Sequence, residues 1–311
     1  MTRLGVVVNP TADRGRADRV GARVHARLRE RGVEVVELSG ATFADSLARA
    51  RAAVAGEHGD LDGLVVVGGD GMVHLGVNAV AGTSTPLGIV AAGSGNDFAR
   101  ALGLPVRDPD GAVATILRTL ELGGRTVDAA RVRALEGGHV EGGTERWFCG
   151  VLSAGLDAAV NARANGMRRP RGRAKYAVAA LAELRRFVPF GYRVTSDGTV
   201  WESPGTLVAV ANGPAIGGGI RIAPDARVDD GLLDVVLAGP LSRAAAARVF
   251  PLTYAGRHVA HPAVTVAPAT VVRVEATSDG AQPPPAFADG EAVGTLPLEV
   301  RVEPGALRVL S

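Results

Sequence analysis

The chain has 311 residues, 47% hydrophobic and 21% charged, with 34 Lys+Arg against 32 Asp+Glu. That length and apolar content can bury a sizeable core in two domains, which excludes a disordered chain and a stapled miniprotein. The formal net charge of +2 leaves nucleic-acid binding without an overall electrostatic footprint, and Cys149, the single cysteine, excludes an intramolecular disulfide and a Cys-rich zinc site.

The opening stretch MTRLGVVVNP reads directly into a strand without the features of a secretory signal, and no apolar run approaches the roughly 20 residues of a membrane span. The expected location is therefore the cytoplasm. Over residues 1–125 apolar runs alternate with helical periods, the pattern of an α/β domain with a parallel sheet. Strands are predicted at RLGVVVN, VEVVEL, LDGLVVVGG and PLGIVAAG, and helices over 16–30, 44–55 and 72–81. After LELGGRTVD the texture changes to short β-rich runs: WFCGVLSAG, GTLVAVANG, GLLDVVLAG, TVVRVEA and LPLEVRVEPGALRVL. Residues 126–311 are expected to form a mostly antiparallel β domain interrupted by helices over 174–187 and 242–254, with a return of the last ten or so residues to the first domain left open. AQPPPAFADG reads as a stiff connector. MRRPRGRAKY gathers Arg168, Arg169, Arg171, Arg173 and Lys175 without an acid, either a solvated loop or a binding surface.

Two glycine turns carry the chemistry. In VVVGGDGMVHL, the glycines Gly68, Gly69 and Gly71 follow a strand and precede a helix, so main-chain amides can form an anion-binding concavity. Asp70 is unwelcome beside a bare phosphate unless a magnesium ion or a reacting hydroxyl intervenes; the alternative is a tight turn with Asp70 as N-cap. The second turn, Gly93, Ser94 and Gly95 before Asn96 and Asp97, again follows a strand. No G-x-x-x-x-G-K-[ST] occurs, and Lys175, the only lysine, lies outside the first domain, which disfavours a P-loop NTPase. The first strand is followed by Asn9 and Pro10 rather than G-x-G-x-x-G, which disfavours a Rossmann dehydrogenase.

VVVNPTADRGRA, VVVGGDGMVHLGVNAV and LGIVAAGSGNDFARALGLP together resemble the diacylglycerol kinase catalytic domain family, which includes bacterial soluble lipid kinases and sphingosine kinases. SAGLDA, ANGPAIGGGIRIAPDARVDDGLLDVVL, GRHVAHPAV and ADGE continue the resemblance in the family's order. GGDG alone is shared with NAD kinases and phosphofructokinases; GSGNDFAR and the late DGE point to lipid kinases.

The resemblance implies an NAD kinase-like or diacylglycerol kinase-like α/β nucleotide domain, followed by a β-sandwich lipid domain. It implies transfer of the γ-phosphoryl group of ATP, with Mg2+, to diacylglycerol, giving phosphatidic acid in phospholipid metabolism. Acceptors of the sphingosine or ceramide type, a soluble NAD kinase-type reaction and a catalytically silent nucleotide or lipid sensor remain alternatives. Glu291 is implied as the general base, with Asp289 its rival. Asn9, Pro10, Thr11, Gly68, Gly69, Asp70, Gly71, Met72, Val73, His74, Gly93, Ser94, Gly95 and Asn96 match nucleotide-contacting positions, with a hydroxyl added by Ser39 or Thr42. Asp70 and Asp97 are implied as water-mediated holders of catalytic magnesium, and RVDDGLLD as a structural magnesium loop using the Asp230 carboxylate and main-chain carbonyls of Arg227 and Leu232. His258 matches a position on the lipid side. Where relatives commonly read GGDGT followed by a glutamate, this chain has Met72 and Leu75. The expected partners are diacylglycerol and an anionic membrane surface reached transiently through 167–190, where Tyr176, Leu181, Leu184 and Phe187 serve either membrane contact or core packing; no nucleic acid is expected, and a homodimer is left open.

Overall fold

In the computed structural model, the described residues are 1–9, 16–57, 59–167, 169 and 173–311. They divide into two compact units, Met1–Ala129 with Glu303–Ser311, and Ala130–Val302.

The first unit follows the alternation of its sequence: β1 (Arg3–Val8), α1 (Arg16–Glu30), β2 (Glu34–Glu37), α2 (Phe43–Val54), β3 (Gly63–Gly68), α3 (Asp70–Val80), β4 (Leu87–Ala91), α4 (Asp97–Ala101), α5 (Pro109–Glu121) and the start of β5 (Arg125–Ala134). Strands β4, β3, β1 and β2 lie side by side and parallel, with Leu4 opposite Gly63 and Leu64 opposite Leu87. Strand β3 is buried along its whole length, as expected for a parallel sheet covered on both faces. Val24 and Leu28 of α1 and Val113 and Ile116 of α5 pack on Leu4, Val6, Val65 and Val67. Helices α4 and α5 were absent from the sequence expectations. The segment Glu303–Ser311 comes back to this sheet, where the Leu310 amide donates to the Leu87 carbonyl at 2.9 Å and Leu307, Val309 and Leu310 are fully buried.

The second unit contains the rest of β5, then β6 (His139–Val140), β7 (Glu145–Phe148), β8 (Val151–Gly155), α6 (Leu156–Gly166), α7 (Arg173–Arg186), β9 (Phe190–Ser196), β10 (Thr199–Gly205), β11 (Leu207–Ala211), β12 (Leu233–Ala238), α8 (Arg243–Val249), β13 (Val264–Ala269), β14 (Val271–Ala276), β15 (Ala286–Ala288), β16 (Glu291–Thr295) and β17 (Leu298–Val309), which leaves the unit at its end. One antiparallel sheet runs β13-β12-β11-β8-β15-β16-β6; in the other, β10-β9-β14-β17 are joined by β5 and β7. Their inner faces share Phe148, Leu152, Tyr192, Leu233, Val272 and Leu298, the core of an antiparallel β-sandwich.

Three expectations change here. The run WFCGVLSAG breaks at Cys149 and Gly150 into β7 and β8, and α6 follows where no helix was expected. The helix expected over 242–254 ends at Val249 and continues as a 3-10 turn, Phe250–Ala255, because Pro251 has no amide to extend the α-helical ladder.

Candidate functional site

The two glycine turns sit at the carboxyl ends of β3 and β4, where open parallel sheets receive ligands. They touch main chain to main chain. A Cβ on Gly69 would lie 3.2 Å from the Gly93 Cα, and one on Gly93 would run into the Gly69 backbone, so neither position has room for a side chain. The Gly68 carbonyl accepts the amides of Ala92 at 2.8 Å and Gly93 at 3.1 Å. Asp70 ties the turns from the other direction: its carboxylate accepts the amides of Asn96 at 2.8 Å and Asp97 at 2.7 Å. Gly69 is the N-cap of α3, so Asp70 is the first helical residue and caps the neighbouring loop instead of its own helix. Asn96 adopts left-handed backbone (φ 61°), and its amide side chain closes the second turn on the Gly93 N–H and carbonyl, each at 2.9 Å.

What remains available for a ligand is main chain. Among the described residues the amides of Gly71, Ser94 and Gly95 have no protein acceptor, and Ser94 is exposed at the tip. The side chains of Met72, Val73 and His74 are all buried, and the amides of Met72 and Val73 already donate to the Gly69 carbonyl. They support the turn from beneath. Ser39 braces the end of β1, its hydroxyl accepting the Val8 amide at 2.8 Å, while Thr42 caps α2 through the Asp45 amide. The Asn9 amide is bonded to the Val67 carbonyl at 3.2 Å; Pro10 and Thr11 lie outside the described residues. Asp70 and Asp97 are the first residues of α3 and α4, joined by the Asp97 amide on the Asp70 carboxylate, and carboxylates are the donors a hard cation takes.

In the second unit, β15 and β16 are joined by Asp289 and Gly290, both at positive φ (53° and 87°), as a two-residue hairpin of the primed type requires. The Asp289 carboxylate accepts the amides of Gly150 at 2.8 Å and Cys149 at 3.2 Å, which explains why the strand breaks there. Gly150 is needed because a Cβ would lie 2.6 Å from an Asp289 oxygen. Asn212 holds this segment in turn, donating its side-chain N–H to the Cys149 carbonyl at 2.8 Å, and Asn161 of α6 donates to the Gly290 carbonyl at 3.1 Å. Glu291 is half-buried, and its side chain makes no hydrogen bond among the described residues. The two rival acids therefore have different surroundings: Asp289 is committed to the turn and Glu291 is not.

Sequence reasoning gave Asn161 and Asn212 no role, although Asn212 lies inside a quoted motif and Asn161 just beyond one; only their side-chain bonds to the Gly290 and Cys149 carbonyls reveal them. It also missed Asp157, whose carboxyl is pushed up by burial, opposed by a hydrogen bond from Ser153, and which raises the nearby Tyr192 hydroxyl further beyond what burial does. His258 is buried with Nε2 3.0 Å from the Ile222 carbonyl, and burial pushes its imidazole down towards the neutral form. In the RVDDGLLD loop, an Asp230 oxygen accepts the Leu232 amide at 3.1 Å, while burial and then the charges of Asp230 and Asp225 push Asp234 up. Crowded carboxylates with main-chain carbonyls suit a hard cation, although no cluster of three metal-ligating side chains is formed among the described residues. The Arg168 and Arg171 of the basic stretch lie outside the described residues. The apolar residues expected there divide: Tyr176 and Leu181 are exposed, whereas Leu184 packs beside Leu241 and Val249 and Phe187 is buried. No helix among the described residues is long and apolar enough to cross a membrane.

Comparison with known proteins gives the same order of parts. Residues 3–131 match the diacylglycerol kinase catalytic domain, and 150–311 match the YegS C-terminal NAD kinase beta sandwich-like domain. Diacylglycerol kinases of two Mycobacterium tuberculosis strains, CDC 1551 / Oshkosh and ATCC 25618 / H37Rv, are each 38% identical over 309 residues, 99% of this chain and 94% of theirs. The crystal structure of a diacylglycerol kinase from Bacillus anthracis str. Sterne shares the fold, with a TM-score of 0.68 at 20% identity over 99% of this chain and 96% of that one. With both units matched in sequence and a relative aligned from end to end, the chain belongs to the diacylglycerol kinase family of lipid kinases.

Proposed function

We propose that the protein transfers the γ-phosphoryl group of ATP to the hydroxyl of diacylglycerol, giving phosphatidic acid and ADP. The observation that carries this reading is the division of labour in the DGE hairpin, where Asp289 is consumed by two main-chain amides and Glu291 is left unengaged. Phosphoryl transfer needs positioning and charge stabilisation more than covalent chemistry, so free main-chain donors and one base are a sufficient protein contribution. The amides of Gly71, Ser94 and Gly95 hold phosphate oxygens. Glu291 accepts the proton of the acceptor hydroxyl as its oxygen bonds to the γ-phosphorus and the bond to the β-phosphate oxygen breaks. Asp70 and Asp97 would hold magnesium through water, and the ion supplies neutralisation of the charge that builds on the phosphates. The Asp230 carboxylate with the main-chain carbonyls of Arg227 and Leu232 would hold a second magnesium, whose charge would offset those of Asp230 and Asp225 that, after burial, push Asp234 up.

The acceptor reaches the enzyme from a bilayer, and α7 presents Tyr176, Val178 and Leu181 to solvent at 48%, 47% and 55% exposure beside Lys175. Anionic lipid would strengthen that contact. Radiolabelled ATP with magnesium and mixed micelles of diacylglycerol, sphingosine, ceramide or NAD tests the whole reading. The expected result is labelled phosphatidic acid from diacylglycerol alone; label in another acceptor reassigns the substrate, and no label in any acceptor makes the protein a sensor.

A further inference from the structure

The outer face of the sheet containing β5, β7, β14 and β17 has a charge arrangement that the kinase reaction does not use. Alternation along β5 sends Ala130 and Val132 into the sandwich core and Arg131 and Arg133 outward. Along β17, Leu298, Val300 and Val302 face the core, which puts Glu299 and Arg301 on the outer face. Arg273 of β14 stands directly opposite Glu299, and on β7 Trp147 and Glu145 stand opposite Arg131 and Arg133. Arg131, Arg133, Glu145, Glu299 and Arg301 line a depression of about 170 Å³.

The guanidinium groups are held in place. Glu299, only 2% exposed, receives Arg133 Nη2 at 2.7 Å and Arg273 Nε at 2.8 Å. Burial works against its charge, but the hydrogen bonds from Arg273 and Arg133 outweigh burial and hold its carboxyl below the usual range. Arg131 lies 5.6 Å from the centre of the Trp147 ring and reaches Glu145 at 3.4 Å. Arg301 has no hydrogen bond or ion pair among the described residues, although its charge is felt by Asp197. Four arginines thus face two carboxylates, one of which, Glu145, is 44% exposed and loosely held. A positively charged depression with fixed, planar donors is suited to a tetrahedral oxyanion, because guanidinium forks match two oxygens at once and little rotamer freedom is left to lose.

We infer that Arg131, Arg133 and Arg301 form a binding site for a phosphate oxyanion on the face of the sheet that does not carry the DGE hairpin. The ligand is a phosphomonoester, free or on a lipid headgroup. The chain has two tryptophans, so Trp201→Phe leaves Trp147, under Arg131, as the reporter. Its emission in the full-length protein is followed during titration with inorganic phosphate, with glycerol 3-phosphate, and with phosphatidylcholine vesicles containing or lacking phosphatidic acid. A saturable change is expected. Arg301→Gln should weaken it about tenfold, the loss of one charge-assisted hydrogen bond, and Arg301→Lys should recover part of that loss. A response to the soluble ligands identifies a free phosphate compound, and a response only to phosphatidic acid vesicles identifies a headgroup. Emission that moves with none of them, or Arg301→Gln titrating like its parent, overturns the site.

Discussion

Asp289 and Glu291 are two positions apart, yet substitution at each should fail in a different way. Glu291→Gln removes the proposed base, whose side chain holds no part of the fold, so turnover should fall by about 10²–10⁴ with an unchanged melting temperature and unchanged ATP affinity. Asp289→Asn leaves amides of Cys149 and Gly150 with a poorer acceptor, so it should cost about 1–3 kcal/mol of stability, read by denaturant unfolding, and lower activity through the displaced hairpin. Asp157 gives the opposite sign. Burial raises its folded pKa, so whatever stability it lends is present below the ordinary carboxylate pKa and is lost as pH rises through the folded value. Asp157→Asn should therefore raise the melting temperature at neutral and alkaline pH, with the gain shrinking in acid; a pH series of thermal melts decides it. Glu299 behaves conversely, since its folded pKa is depressed: its contribution holds above the unfolded carboxylate pKa and disappears as pH falls through the folded one.

At the level of elements, the two glycine turns act as one object because β3 and β4 are neighbours in parallel register, and a side chain in either turn pushes on the other. Gly93→Ala should weaken ATP binding, measured by calorimetry, and destabilise the first unit by about 1–3 kcal/mol, the usual cost of overpacking. The turns were legible in the sequence because an apolar strand run followed by glycines leaves few conformational options. What was not legible is how much main-chain bonding the polar groups carry: Asp70, Asn96 and Asp289 look like ligands in one dimension, and each also holds main-chain groups of a neighbouring turn or of its own. Helix α6 escaped notice for a simpler reason. LDAAVNARANG has no apolar stripe, its buried face being alanine at Ala158 and Ala164, so hydrophobic periodicity has nothing to register.

Across the whole molecule, the alternation of apolar runs and the later shift to short glycine-punctuated strands were enough to indicate an α/β sheet followed by an antiparallel sandwich, because both patterns follow from which faces each sheet must cover. The route of β17 was less apparent. Its sequence, LEVRVEPGALRV, contains Pro304 and Gly305, yet it runs as one strand from the second unit into the first. The Gly305 amide donates to Asp128 at 2.8 Å, and Leu307, Val309 and Leu310 are fully buried. Removing 303–311 should cost about 1.5–3 kcal/mol for each of those side chains and abolish ATP binding in calorimetry, while far-ultraviolet circular dichroism retains the β signal of the second unit. That route also sets an order of events during synthesis. Residues 303–311 leave the ribosome after all of 130–302, so the nucleotide-type sheet stays incomplete until translation has passed the sandwich. A nascent chain that has not yet released 303–311 would expose the apolar edge that those residues later cover, and its dependence on chaperones should end once they emerge.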